Sequence, residues 1–195
     1  MRAPARSAAA AALFLCLFVA APAWADARVA FYSHGWGTGP DGFVYFPHAF
    51  LAVSDEDDGE AAARTYGFTA VAGAGISALI RASKGEVRPA DPRYISKSRL
   101  HFSLTVPDAE AARLEAWIAS WASDDLYDLR RRNCITFIAG AAQALGLATP
   151  PKASLDPAAV LESIRGLNAL PAPETTAPPA TRPEAADPSP EPAAG

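Results

Sequence analysis

The chain has 195 residues, of which 17 are basic and 21 acidic, for a formal net charge of −4, and half of its residues are hydrophobic. That acidic balance argues against nucleic acid or an anionic membrane surface as the main partner. The length suits one compact domain with flanking segments, and the sequence holds no internal repeat.

The first 25 residues read as an export signal. Arg2 and Arg6 form a short basic start, Ala8 to Ala21 is unbroken apolar sequence, and Ala23-Trp24-Ala25 is a small-x-small cleavage site, so the mature chain is expected to begin at Asp26. The apolar run is shorter than the roughly 20 residues that span a bilayer, and no later stretch is long enough, so a soluble protein with no stable membrane span is expected, periplasmic or secreted. Without Arg2 and Arg6 the mature charge is 15 basic against 21 acidic residues, a net of −6.

The front half of the mature chain reads as strands. Phe43 to Val53 is rich in aromatic and branched residues, with Pro47, which has no N–H, marking an edge or bulge just before His48. After the acidic turn Ser54 to Gly59, Thr65 to Ala70 forms the partner of an antiparallel pair. Residues 71–98 carry many Gly, Ser and Pro; a short helix over Ala74 to Ala82 is the one element the pattern suggests there. Leu100 to Val106 alternates apolar and polar residues, which makes a half-buried strand with Leu100, Phe102, Leu104 and Val106 inward and His101 on the outer phase.

The back half reads as helices. Pro107 and Asp108 open one whose apolar face is Leu114, Trp117, Ile118 and Trp121. Asn133 caps the next, which carries Ile135, Ile138, Ala142 and Leu145, is apolar nearly all round and stops at Gly146. Asp156 before Pro157 caps a last short helix to about Arg165, closed by Gly166. From Pro171 to Gly195, eight of 25 residues are Pro and none is large and apolar, so this segment is expected to be an extended, disordered tail. The fold expected for residues 26–170 is therefore α+β, a small antiparallel sheet packed against a buried helix.

The chemistry centres on Cys134. The only other cysteine, Cys16, falls in the export signal, so no internal disulfide can form in the mature chain. Cys134 is the first residue of the helix that Asn133 caps, behind Arg130, Arg131 and Arg132. A helix N-terminus and nearby cations favour a thiolate, and free N–H groups there can receive an oxyanion. The base must come from His34, His48 or His101. His48 lies mid-strand in an apolar setting and is preferred, His34 sits in the Gly-rich segment Ser33 to Pro40, and His101 reads as a surface histidine. The scattered histidines lack the spacing of a metal site, and the Gly-rich segment lacks the lysine and following helix of a phosphate loop, so neither a metal nor a cofactor is expected.

Pro47-His48-Ala49-Phe50, then Tyr66-Gly67-Phe68, then Asn133-Cys134-Ile135-Thr136-Phe137 together resemble circularly permuted members of the NlpC-type, papain-like cysteine hydrolase superfamily, in which the histidine precedes the Asn-Cys helix as in lecithin:retinol acyltransferase-like proteins. The resemblance spans roughly residues 28–150. It implies a Cys134 nucleophile, a His48 base and a third polar residue on the strand after the histidine, where this chain offers Thr65 and Tyr66, although Pro47 stands where many members have Gly. It implies acyl transfer on a peptide or acyl substrate. An envelope amide, such as a peptide bond of peptidoglycan in the cell wall, comes first; a lipid or protein acyltransferase or esterase is the alternative, and a non-catalytic envelope binding or scaffold protein of the same fold is a third reading.

Overall fold

A computed structural model describes residues 26–38, 44–55, 63–71, 81–121, 126–151 and 154–173. The export signal, most of the acidic turn, most of the suggested helix over Ala74 to Ala82 and most of the Pro-rich tail lie outside the described residues. The fold is α+β. Its main sheet has six antiparallel strands, β1 (Ala27–His34), β4 (His48–Asp55), β5 (Arg64–Ala70), β6 (Ser83–Arg88), β7 (Arg99–Val106) and β8 (Leu126–Tyr127), in the spatial order β7-β1-β4-β5-β6-β8. A separate two-stranded ladder pairs β2 (Gly37–Thr38) with β3 (Val44–Tyr45). The helices are α1 (Pro92–Ser96), α2 (Asp108–Ser120), α3 (Cys134–Ala144) and α4 (Pro157–Leu167). Among the described residues no helix is long and apolar enough to cross a membrane.

The expected strand over 43–53 is two elements. Pro47 cannot donate to a ladder, and it falls in the break between β3 and β4. The segment 71–98 yields β6 and the one-and-a-half-turn α1, whose N-cap Asp91 accepts the Arg93 N–H at 2.8 Å and whose first residue is Pro92. The last helix runs on to Leu167, past Gly166, because Asn168 closes it: its side chain donates to the carbonyls of Ile164 and Ala148.

Both faces of β1 and β4 are covered, which accounts for their long apolar runs. Since successive strand residues point to opposite faces, Ala27, Val29 and Phe31 of β1, Ala49, Leu51 and Val53 of β4, and Phe68 of β5 face one way, into the main core under the three longer helices. Ala30, Tyr32, Phe50 and Ala52 face the other way, with Leu100 and the α1 residues Tyr94 and Ile95 packed against them. Helices α2 and α3 touch closely at Gly140, where a Cβ would run into the Trp117 ring; Trp117 also donates its indole N–H to the Phe137 carbonyl at 3.1 Å.

Candidate active site

Asp128 organises the approach to α3. Its carboxylate accepts the N–H groups of Arg130 and Arg131, at 2.8 and 3.2 Å, and turns the chain toward Asn133. The Asn133 side-chain oxygen accepts from Ile135 N at 2.8 Å and Thr136 N at 3.0 Å, its amide donates to the Leu129 carbonyl, and the Thr136 hydroxyl accepts from Asn133 N at 2.9 Å. This is a complete capping box. It also occupies two first-turn donors that an oxyanion would need, so Asn133 acts here as a cap.

Cys134 follows as the first helical residue and is 6% exposed. Burial pushes its thiol up to about 11, against the opposing pull of the backbone N–H groups of Ala49, Cys134 and Ile135. The arginines do not reverse this. Arg130 and Arg131 are exposed, and Arg132 lies over the Trp121 ring, 3.7 Å from its centroid. The neighbouring Tyr127 phenol is pushed up to about 12, by burial first and then by the Cys134 charge. At neutral pH Cys134 is therefore a protonated, buried thiol.

His48 does not join it. His48 shares its strand phase with Phe50 and Ala52, whereas Cys134 packs on the phase of Ala49 and Leu51. The His48 ring lies over Gly67, whose missing Cβ would stand 2.6 Å from the imidazole Nε2 and 3.2 Å from the Phe50 Cβ. Its cross-strand partner is His34, and burial, helped by the His34 charge, lowers the His48 pKa to about 4. The two members of the expected dyad thus leave opposite faces of the sheet, and no hydrogen bond connects them. The reason is the two-residue period: Ala49, one position on, is the residue that turns toward α3.

The expected third residues do not serve His48 either. Thr65 accepts the Ala90 N–H at 2.7 Å and pairs with Ala52, four residues along β4 from His48, or roughly 13 Å at strand rise. Tyr66 faces the main core. His34 stacks on Tyr94, with centroids 4.2 Å apart, and its Nδ1 lies 3.3 Å from the Ser98 hydroxyl.

His101 is the histidine that the strand pattern misassigned. It is fully buried. The β1–β7 register shifts between Phe31, paired with Phe102, and Tyr32, paired with Leu100, which leaves His101 as the extra residue of a bulge. The bulge sends Leu100 to the second face and His101 to the helix-covered face. There His101 Nε2 lies 2.7 Å from the Ser33 hydroxyl and Nδ1 lies 2.8 Å from a Glu162 carboxylate oxygen on α4. Burial raises the Glu162 pKa, but Arg165 and His101 outweigh it and hold the carboxyl below its ordinary value; Arg99 also pairs with it, at 2.8 Å. An ionised carboxylate only accepts, so His101 Nδ1 carries the proton and Nε2 accepts from the Ser33 hydroxyl. Burial lowers the His101 pKa despite the Glu162 hydrogen bond and charge, so the ring is neutral at pH 7. Ser33 is 6% exposed and pairs with Ala49 in the β1–β4 ladder.

Sequence reasoning missed Ser33 and Glu162. Ser33 is one polar residue in an apolar strand, and Glu162 lies 61 residues from His101. Among the described residues no group of three or more His, Cys, Asp or Glu side chains could hold a metal ion. Comparison with known proteins finds no matching family model, no matching curated protein and no matching solved structure.

Proposed function

We propose that the chain is an exported acyl-transfer hydrolase, acting in the periplasm or outside the cell on an amide or ester bond of the envelope, with Ser33 as nucleophile, His101 as base and Glu162 as the group that orients the imidazole. The observation that carries this is the unbroken chain from the Ser33 hydroxyl to His101 Nε2 at 2.7 Å and from Nδ1 to the Glu162 carboxylate at 2.8 Å. A nucleophile within hydrogen-bond reach of a base that a third group orients is the geometric requirement of covalent acyl transfer. Ser33 attacks the carbonyl carbon as its proton passes to Nε2. The imidazolium, held by Glu162, gives that proton to the leaving amine or alcohol, and water then repeats the sequence to release the acid.

A second reading keeps Cys134 as the nucleophile, favoured by its place at the start of a capped helix with three backbone N–H groups bearing on the sulfur. One experiment separates the two. The mature chain is incubated with a fluorophosphonate probe, and its turnover of p-nitrophenyl acetate and of peptidoglycan peptides is followed. The Ser33 reading expects probe on Ser33, a loss of about a thousandfold in kcat/KM in Ser33→Ala, and near-normal rates in Cys134→Ala and His48→Ala. Loss in Cys134→Ala with retention in Ser33→Ala selects the thiol instead. No labelling and no turnover leaves the chain as a non-catalytic binding or scaffold protein.

A further inference from the structure

The two carboxylate oxygens of Glu162 are not used alike. Oε1 lies 2.8 Å from His101 Nδ1 and also accepts from Arg99 Nη2 at 2.8 Å. Oε2 belongs to Arg165, whose Nε donates to it at 2.9 Å and whose Nη2 lies 2.8 Å from it. Arg165 follows Glu162 by three residues on α4, a spacing that makes side chains neighbours on a helix. Packing fixes the helix that carries both: Leu161 and Ile164, each beside one member of the pair, are fully buried in the main core. The two arginines differ in setting. The Arg99 side chain is 67% exposed, whereas those of Arg165 and Glu162 are each 31% exposed. Solvent therefore screens the Arg99 pair more than the Arg165 pair.

We propose that Arg165 is the positioning residue of this site: by gripping Oε2 with two nitrogens it stops the Glu162 carboxylate from turning, keeps Oε1 on His101 Nδ1–H, and so holds Nε2 as the acceptor of the Ser33 proton. The proposal rests on the acyl-transfer reading. A guanidinium binds a carboxylate through a rigid fork of donors, and a base whose orienting group turns away presents the wrong tautomer. The charged groups that face the imidazole are Glu162 and Arg165 on α4 and Arg99 on β7. From the other elements packed there, β1 turns Ser33 to the ring, β4 turns Ala49, Leu51 and Val53 to this face, and Cys134 is the one titratable residue of α3. Burial lowers the His101 pKa and the Arg165 charge adds to that, so loss of Arg165 moves it up. A partly exposed i,i+3 ion pair contributes little to stability, so the loss registers at the ring and in the rate, and not in the fold.

Arg165→Gln in the mature chain tests it, followed by nitrogen–proton NMR spectra of the imidazole, assigned with His101→Gln, and by the pH profile of p-nitrophenyl acetate turnover. The parent chain is expected to show the Nδ1–H form alone, and Arg165→Gln to add an Nε2–H signal. In the variant kcat is expected to fall about tenfold with KM unchanged, and the acid limb of kcat/KM to move to higher pH, at an unchanged melting midpoint. Arg165→Lys returns the charge but not the fork, so it is expected to restore the acid limb and only part of kcat. Arg113→Gln breaks the i,i+3 pair with Glu110 on α2 and is expected to change neither the ring nor the rate. A variant ring that stays wholly in the Nδ1–H form with an unshifted titration overturns the proposal, as does an equal loss of rate in Arg113→Gln. Ser33→Ala turning over at the parent rate overturns the acyl-transfer reading instead, and the Arg165→Gln ring spectrum then still decides whether Arg165 sets the tautomer.

Discussion

His48 and Cys134 are both set by burial, in opposite senses. Each is held in its neutral form, His48 with its pKa near 4 and Cys134 with its pKa near 11. For His48 the folded value lies below the ordinary 6.5, so between those values the unfolded chain binds the extra proton and stability falls as pH drops from about 6.5 toward 4. The full shift corresponds to roughly 3 kcal/mol. Melting curves at pH 7 and pH 5 should show a lower midpoint at the acid value, and His48→Gln should reduce that difference, with the buried His101 contributing the same sign. An equal difference in the variant would locate the pH response elsewhere. For Cys134 the expected result is slow alkylation: at pH 7 iodoacetamide should modify the native thiol far more slowly than a free model thiol, and denaturant should remove the protection. Cys134 was legible as a capped helix start, because Asn133 and the apolar run announce it locally. Its protonation was not, since that depends on how much of the fold closes over the sulfur.

At the scale of elements, single residues decide how strands and helices meet. Gly140 lets α3 approach α2 until the Trp117 ring fills the place of a side chain. Gly140→Ala should therefore cost about 1–3 kcal/mol through overpacking, although alanine favours an isolated helix; urea unfolding of the two proteins measures it, and a stabilised variant would contradict the close packing. The β7 bulge is the other case. Alternation along Leu100 to Val106 places His101 outside, and one extra residue opposite the Phe31–Tyr32 step brings it inside. Nothing in the local pattern marks that step, because a bulge is settled by how two strands pair.

For the whole molecule, the sheet divides the chemistry. Ser33, His101, Glu162 and Cys134 lie on the face under the longer helices; His34, His48 and Thr65 lie on the face under α1. Glu162 ties α4 to the edge strand β7 through both His101 and Arg99. The segment after residue 173 carries no large apolar side chain, so removing residues 174–195 should leave the melting temperature of the mature chain unchanged; a clear drop would mean that this segment packs on the domain.

By itself, the sequence determined the α+β class, the antiparallel pairing of β4 with β5, the Asn133 cap and the helix that starts at Cys134, because periodicity, turn residues and capping act over a few neighbours. Only the tertiary structure decided which histidine shares a face with which hydroxyl or thiol. Strand phase, register and the bulge at His101 are fixed by partners far away in the chain, and a shift of one residue in any of them turns a side chain to the other side of the sheet.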